Sequence, residues 1–140
     1  YESLSDGGFA SGSMMGSGGL IVIDEDQCIV KNTYTLARFY RHESCGQCSP
    51  CREGTGWMEK ILKNIDTGKG KMSDIDLLWD IQRKIEGNTI CPLGDAAAWP
   101  VAAAIRHFRD EFEWHVTHPE EAQKRNYGLA HYADPIHVPA

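Results

Sequence analysis

The chain has 140 residues, 41% of them hydrophobic, which fits one domain, or one small domain with part of another. Its 14 basic and 20 acidic side chains leave a formal charge of −6 with no run of Lys or Arg. Nucleic acid and anionic membranes call for a positive face, so neither is expected as a partner.

No stretch approaches the roughly 18–20 apolar residues needed to span a bilayer, so no direct membrane insertion is expected. The opening YESLSDGGFASGSMMGSGG has neither the basic start nor the apolar centre of a signal peptide, and a soluble protein is expected. Those first 19 residues are rich in Gly and Ser and show no sustained period. In GGLIVIDED (18–26) the run Leu20-Ile21-Val22-Ile23 is bounded by glycines and acids, which predicts a short buried strand. One strand cannot stand alone, so residues 1–27 read as the end of a preceding β-containing domain and a linker.

From residue 28 the period becomes helical. CIVKNTYTLARFYRHES (28–44) spaces Ile29, Thr33, Leu36, Phe39 and Tyr40 along one face. GTGWMEKILKNID (54–66) does the same with Trp57, Met58, Ile61, Leu62 and Ile65, and TGKGK (67–71) is a turn. Ser73 or Asp74 is expected to cap a third helix with Leu77, Leu78, Ile81 and Ile85 inward, ended by Gly87. Asp95 is expected to cap a fourth, whose seam is Val101, Ile105, Phe108 and Phe112; Pro100 is tolerable in its first turn and otherwise kinks it. The expected fold is therefore mostly α: a small bundle of about four helices over 28–117. Residues 118–140, with Pro119, Pro135 and Pro139, read as an extended C-terminal tail.

The chemistry concentrates in ESCGQCSPCREG (43–54). Cys45, Cys48 and Cys51 lie three residues apart, in a chain of five cysteines without an export signal, which favours metal over a secreted disulfide framework. Zinc sites take their four ligands as two separated pairs. An iron–sulfur cube is better served by three thiols on one compact loop and a remote fourth. Cys91, in NTICPLGD (88–95), is placed to be that fourth ligand, because the two intervening helices return the chain near its start. Gly46 lets the backbone approach with its N–H aimed at a sulfur. A helix starting near Arg52 or Glu53 turns its positive end to the site, and Arg52 adds a cation. A [4Fe–4S] cluster on Cys45, Cys48, Cys51 and Cys91 is the favoured interpretation, with zinc and a thiol–disulfide switch as alternatives. Cys28 reads as a small buried apolar residue, His42 as a surface histidine, and Trp57, Trp79, Trp99 and Trp114 as core and bundle surface. No nucleophile elbow, phosphate-binding glycine loop or catalytic carboxylate pair is apparent, so no catalytic residue is assigned.

Residues 43–54 fit ESCGxCxPCRxG at each fixed position. The segment resembles the signature of the NADH-binding flavoprotein (51 kDa or F-type) subunit of respiratory complex I, NADH:quinone oxidoreductase. The likeness extends through WMEKIL (57–62), IEGNTICPLGDAAAWP (85–100) and IRHFRDEFE (105–113), with MGSGGLIVIDED (15–26) in the place of the family's upstream strand. It implies that Cys45, Cys48, Cys51 and Cys91 bind the [4Fe–4S] cluster next to the flavin. In that family hydride passes from NADH to FMN, and electrons then leave singly through the cluster towards quinone, coupled to proton pumping. It also implies that residues 1–27 end a ubiquitin-like β domain. The implied partners are the [2Fe–2S] E-type subunit and the large iron–sulfur G-type subunit. The implied location is the cytoplasmic side of the inner membrane, or the matrix side if mitochondrial. The family's glycine-rich FMN/NADH motifs are absent from these 140 residues, so FMN and NADH are expected on the parent polypeptide outside them. Diaphorase subunits of NAD-linked hydrogenases or formate dehydrogenases share the cluster motif. From a different class, a zinc-stabilised helical interaction module is the rival.

Overall fold

A computed structural model describes residues 20–24 and 27–125. Five helices lie among them: α1 (Ile29–Glu43), α2 (Ser49–Asp66), α3 (Met72–Ile85), α4 (Leu93–Thr117) and α5 (Pro119–Arg125). The first four close into a bundle. α1 packs on α2 and α4, α3 packs on the same two, and α2 and α4 meet across the middle. Connections of a few residues at 44–48, 67–71 and 86–92 make successive helices antiparallel neighbours. The core is built from Met58, Leu62 and Ile65 of α2, Ile75, Leu78, Ile81 and Ile85 of α3, and Val101, Ile105 and Phe112 of α4, with Val30 and Ala37 of α1.

Local chemistry sets the helix ends. Cys28 caps α1, its Sγ accepting from the Lys31 N–H at 3.4 Å. α3 starts at Met72, one residue before Ser73 and two before Asp74, the two expected caps. Asp74 lies inside the first turn and its carboxylate reaches back to accept from the Lys71 N–H at 2.9 Å. Gly87, at φ +71°, takes the left-handed turn that ends α3, as expected. Asp95 is not a cap either. It sits in the first turn of α4 and accepts from the Gly87 N–H at 2.7 Å, tying the two ends of the 86–92 connection together.

Several inward faces differ from the expected ones. α1 buries Val30, Thr33 and Ala37, while Phe39 is 45% exposed. A helix wedged between two neighbours presents the arc that bisects them, and small Ala37 allows the close approach. Trp57 and Leu77 also face outward, on either side of a groove of about 600 Å3 between α2 and α3. In α4 the departure from helical angles comes at Phe108 (φ −133°, ψ 29°) rather than at Pro100. This break resets the helical phase: Phe108 points out, while Phe112 and His115 are fully buried.

Residues 20–24 carry no regular secondary structure, and Leu20, Ile21 and Val22 are exposed. Among the described residues they have no strand to pair with, and a lone strand has no ladder to join. The expected ubiquitin-like remnant over 1–27 falls largely outside the described residues. Within the expected tail, 119–125 instead form α5, with Pro119 opening the helix where its missing N–H costs nothing. α5 is held by buried Ala122 and by Gln123, whose Nε2 donates to the Thr67 carbonyl at 2.7 Å. The rest of that expectation, 126–140, lies outside the described residues.

Candidate metal centre

The cysteine-bearing loop, residues 44–48, joins α1 to α2 at one end of the bundle. α2 begins at Ser49, earlier than the start near Arg52 expected from sequence, because Pro50 fits the first helical turn, where an N–H would have no partner. Cys48 is thus the residue that precedes the helix, and Cys51 lies inside its first turn. The N–H groups and positive end of α2 face this loop. Cys48 makes no capping bond, unlike Cys28 at the equivalent place on α1, so its thiol is not spent on the helix end.

Polar contacts hold the loop. Gly46 sits at φ +76°, a conformation that glycine adopts without a Cβ penalty. Its N–H lies 3.4 Å from Ser44 Oγ, so it bonds a hydroxyl rather than a sulfur as expected. The same Ser44 Oγ is 3.1 Å from Cys51 Sγ. Arg52 reaches back over the loop, Nη1 donating to the Gly46 carbonyl at 2.7 Å and Nη2 to Ser49 Oγ at 3.3 Å. Its charge is shared with Glu53 at 3.0 Å. Arg52 is therefore a brace of the loop as well as a nearby cation, and the sequence motif showed only the second role.

Cys91 comes to the same end of the bundle by the expected route. Gly54, one turn beyond Cys51, lies so close to Ile85 that a Cβ there would stand 2.6 Å from the Ile85 side chain. α2 and α3 thus meet tightly beside the loop, and Cys91 follows six residues after Ile85. Its own loop is fixed by Thr89 Oγ1, which donates to the Cys91 carbonyl at 2.9 Å, and Thr89 packs against Gly94 with no room for a Cβ. All four cysteines are free thiols; Cys45 and Cys91 are exposed, Cys48 is half-buried and Cys51 is buried. The donor set fits an iron–sulfur cluster: two thiols on one short braced loop, a third in the first turn of the helix that follows it, a fourth on an adjoining loop, and a helix N-terminus and an arginine beside them.

The other residues singled out from sequence behave mostly as surface and core. His42 pairs with neighbouring Glu43 at 2.9 Å on the exposed side of α1. Trp99 donates to Glu86 at 2.8 Å, Trp79 lies under Arg106, and Trp114 stacks on His118. Cys28 is buried as expected but is not merely apolar, since its Sγ lies 3.1 Å from His115 Nε2. The sequence offered no signal for that contact across 87 positions beyond the presence of both residues.

The chain is similar to known proteins of one family. Residues 31–115 match the family model described as the NADH-ubiquinone oxidoreductase-F iron-sulfur binding region. The NADH-quinone oxidoreductase F-type subunit of Rickettsia bellii (strain OSU 85-389) is 53% identical over 113 residues, which cover 81% of this chain and 26% of that protein. An F-type subunit of the same enzyme in Rhizobium meliloti (strain 1021) is 50% identical over 102 residues, covering 73% and 24%. Among solved structures, NAD+-reducing [NiFe]-hydrogenase in the H2-reduced state superposes with a TM-score of 0.65 at 29% identity, over 85% of this chain and 22% of that one. The chain thus spans about a quarter of the length of these relatives. The match over residues 31–115 places the chain in the NADH-ubiquinone oxidoreductase-F iron-sulfur binding family, whose members carry a [4Fe–4S] cluster.

Proposed function

We propose that Cys45, Cys48, Cys51 and Cys91 ligate the [4Fe–4S] cluster of this family, and that the chain conducts electrons within an NADH:quinone oxidoreductase of the complex I type. The observation that carries this is the braced loop 44–48 with the free thiols of Cys45 and Cys48, the free thiol of Cys51 in the first turn of α2, and the fixed loop of Cys91 at the same end of the bundle. When bound, such a cluster accepts and releases one electron at a time.

The chain's own residues supply the setting. Ser44 donates its hydroxyl proton to the Cys51 sulfur once that sulfur is a thiolate, and so lowers the charge density on it. Arg52 holds the Gly46 carbonyl turned towards the guanidinium and keeps the loop in one shape. Buried Cys51 anchors the inner side, while exposed Cys45 and Cys91 leave the outer side open to a neighbouring domain or subunit.

Within this proposal the donor is FMN, reduced by NADH on the parent polypeptide outside these residues. The acceptors lie in the peripheral arm, with the [2Fe–2S] E-type and large G-type subunits as neighbours. The arm sits on the cytoplasmic side of the inner membrane, or the matrix side if mitochondrial. No helix of the described residues is long and apolar enough to cross a membrane. A diaphorase of an NAD-linked hydrogenase is the second reading, favoured by the structural likeness to the NAD+-reducing hydrogenase. The higher identity to the F-type subunits favours the first.

The test is low-temperature EPR of the assembled enzyme, frozen after NADH addition. A reduced [4Fe–4S] signal that disappears in Cys91→Ala, with the flavin still reducible, is the expected result. Persistence of that signal unchanged in Cys91→Ala would remove Cys91 from the ligand set and the proposed site with it.

A further inference from the structure

At the opposite end of α1 from the cysteine loop, three donors of different chemistry converge. Cys28 is 2% exposed and His115 is fully buried, with Cys28 Sγ 3.1 Å from His115 Nε2. Glu111 stands one helical turn before His115 on α4, so both side chains fall on one face. The three donor atoms all lie within 4.8 Å of one another, a compact group drawn from two helices that are distant in sequence. α1 is 15 residues long, which puts this cluster about 22 Å from the 44–48 loop, so it is separate from the iron–sulfur centre.

We propose that Cys28, Glu111 and His115 form a second metal site, one that takes a single divalent ion of borderline softness, of the zinc class. One thiolate, one imidazole and one carboxylate is a donor set suited to such an ion, leaving a fourth position for water. The spacing is close to what is needed. Tetrahedral zinc sets sulfur and nitrogen donors about 3.6 Å apart and nitrogen and oxygen donors about 3.4 Å apart. The Cys28–His115 pair, at 3.1 Å, would open by about half an ångström.

Charge also balances. A Cys28 thiolate and the Glu111 carboxylate offset a divalent ion, with His115 neutral. Asp66 of α2 lies near enough to act on the Cys28 charge, while the adjacent cation, Lys31, is turned to Asp66 at 3.1 Å. The positive end of α1 opposes a cation, but its N–H groups are already engaged. Ile29 N–H donates to Glu111 Oε1 at 3.0 Å and Lys31 N–H to Cys28 Sγ. Both bonds would persist with the metal bound and would orient its ligands. Without metal, burial first, then Glu111 and Asp66, push the Cys28 thiol up to about 11, so the site begins as a thiol. Binding replaces that proton: Cys28–SH and M2+ give Cys28–S–M+ and one H+ released to solvent, with no change of oxidation state, and the Glu111 carboxylate offsets the remaining charge.

The test uses the protein with its iron–sulfur cluster assembled, so that the loop cysteines are occupied, and titrates it with zinc in weakly buffered solution. One zinc per chain is expected. Zinc-edge X-ray absorption should show one sulfur at about 2.3 Å with nitrogen or oxygen neighbours. Cys28→Ser still caps α1 and Glu111→Gln still accepts from Ile29, so both should keep the fold and the iron content. Each should weaken zinc binding at least about tenfold, and Cys28→Ser should also abolish the proton release. Three outcomes would overturn the site: no zinc uptake, a shell of three or four sulfurs, or equal affinity in the parent and Glu111→Gln. Cys28 and His115 would then be a buried hydrogen bond joining α1 to α4. Because zinc and iron are read separately, failure here leaves the electron-transfer proposal standing.

Discussion

Ser44 is the residue on which the properties of the cysteine loop turn most finely. Its hydroxyl stands between the Cys51 sulfur and the Gly46 N–H, so it fixes the loop and, in the proposed site, would donate to the Cys51 thiolate. A hydrogen bond to sulfur favours the more negative, reduced cluster. Ser44→Ala should therefore lower the midpoint potential by roughly 40 mV, the equivalent of about 1 kcal/mol for one electron, with iron content nearly unchanged. Potentiometric EPR titration reads this directly, and an unchanged potential would show that Ser44 only shapes the loop. Gly46 and Gly87 make a matched pair, at φ +76° and +71°. Alanine at either should cost about 1 kcal/mol in urea unfolding of the metal-free protein. Only Gly46→Ala should also reduce cluster retention, measured as iron per chain. The sequence pattern was enough to mark Gly46, Arg52 and the four cysteines as candidates, because glycine, charge and thiol chemistry follow from residue type. Which atoms meet did not follow. The Gly46 N–H goes to a hydroxyl, and the Cys28–His115 contact depends on how α1 and α4 dock.

At the scale of the helices, the kink at Phe108 decides which aromatic side chain enters the core. Phe112 is fully buried while Phe108 is 46% exposed. Phe112→Ala should destabilise the bundle by about 3–5 kcal/mol and Phe108→Ala by about 1 kcal/mol or less. Chemical denaturation of the two variants checks the difference, and equal losses would mean that α4 runs straight with both rings inside. Periodicity alone expected both, since it assumes one unbroken helix and the break resets its phase. The same limitation appears in α1, where the inward arc is Val30, Thr33 and Ala37 because two neighbours share the helix. Helix existence was legible for α1 to α4, from Val101, Ile105 and Phe112 in α4 as from Leu78, Ile81 and Ile85 in α3, but not for α5, which falls within the expected extended tail. Termini were less so: α2 starts at Ser49 because Pro50 suits a first turn, and Asp74 and Asp95 act from inside their helices. The apolar run Leu20–Ile23 reads as a strand, but strand formation requires a pairing neighbour that composition cannot reveal.

Across the whole molecule, the two proposed metal sites lie at separated ends of the bundle. The antiparallel pair α2 and α3 brings Cys91 back to the end where loop 44–48 sits, and the tight Gly54–Ile85 contact keeps that end closed. α5 and the N-terminus of α1 belong to the other end, with Gln123 on the α2–α3 turn and Cys28 on α4. Exposed Cys45 and Cys91, with the α2–α3 groove lined by Ser49, Pro50 and Trp57 alongside, give the cluster end a face suited to contact with a larger assembly. The central claim is that this end holds a [4Fe–4S] cluster on four named cysteines. The most direct measurement is iron, zinc and acid-labile sulfide per chain in protein prepared without oxygen, alongside Cys91→Ala. About four iron and four sulfide per chain, falling or converting in the variant, is the expected result. About one zinc and no sulfide, persisting after cluster reconstitution and unchanged in Cys91→Ala, would contradict it.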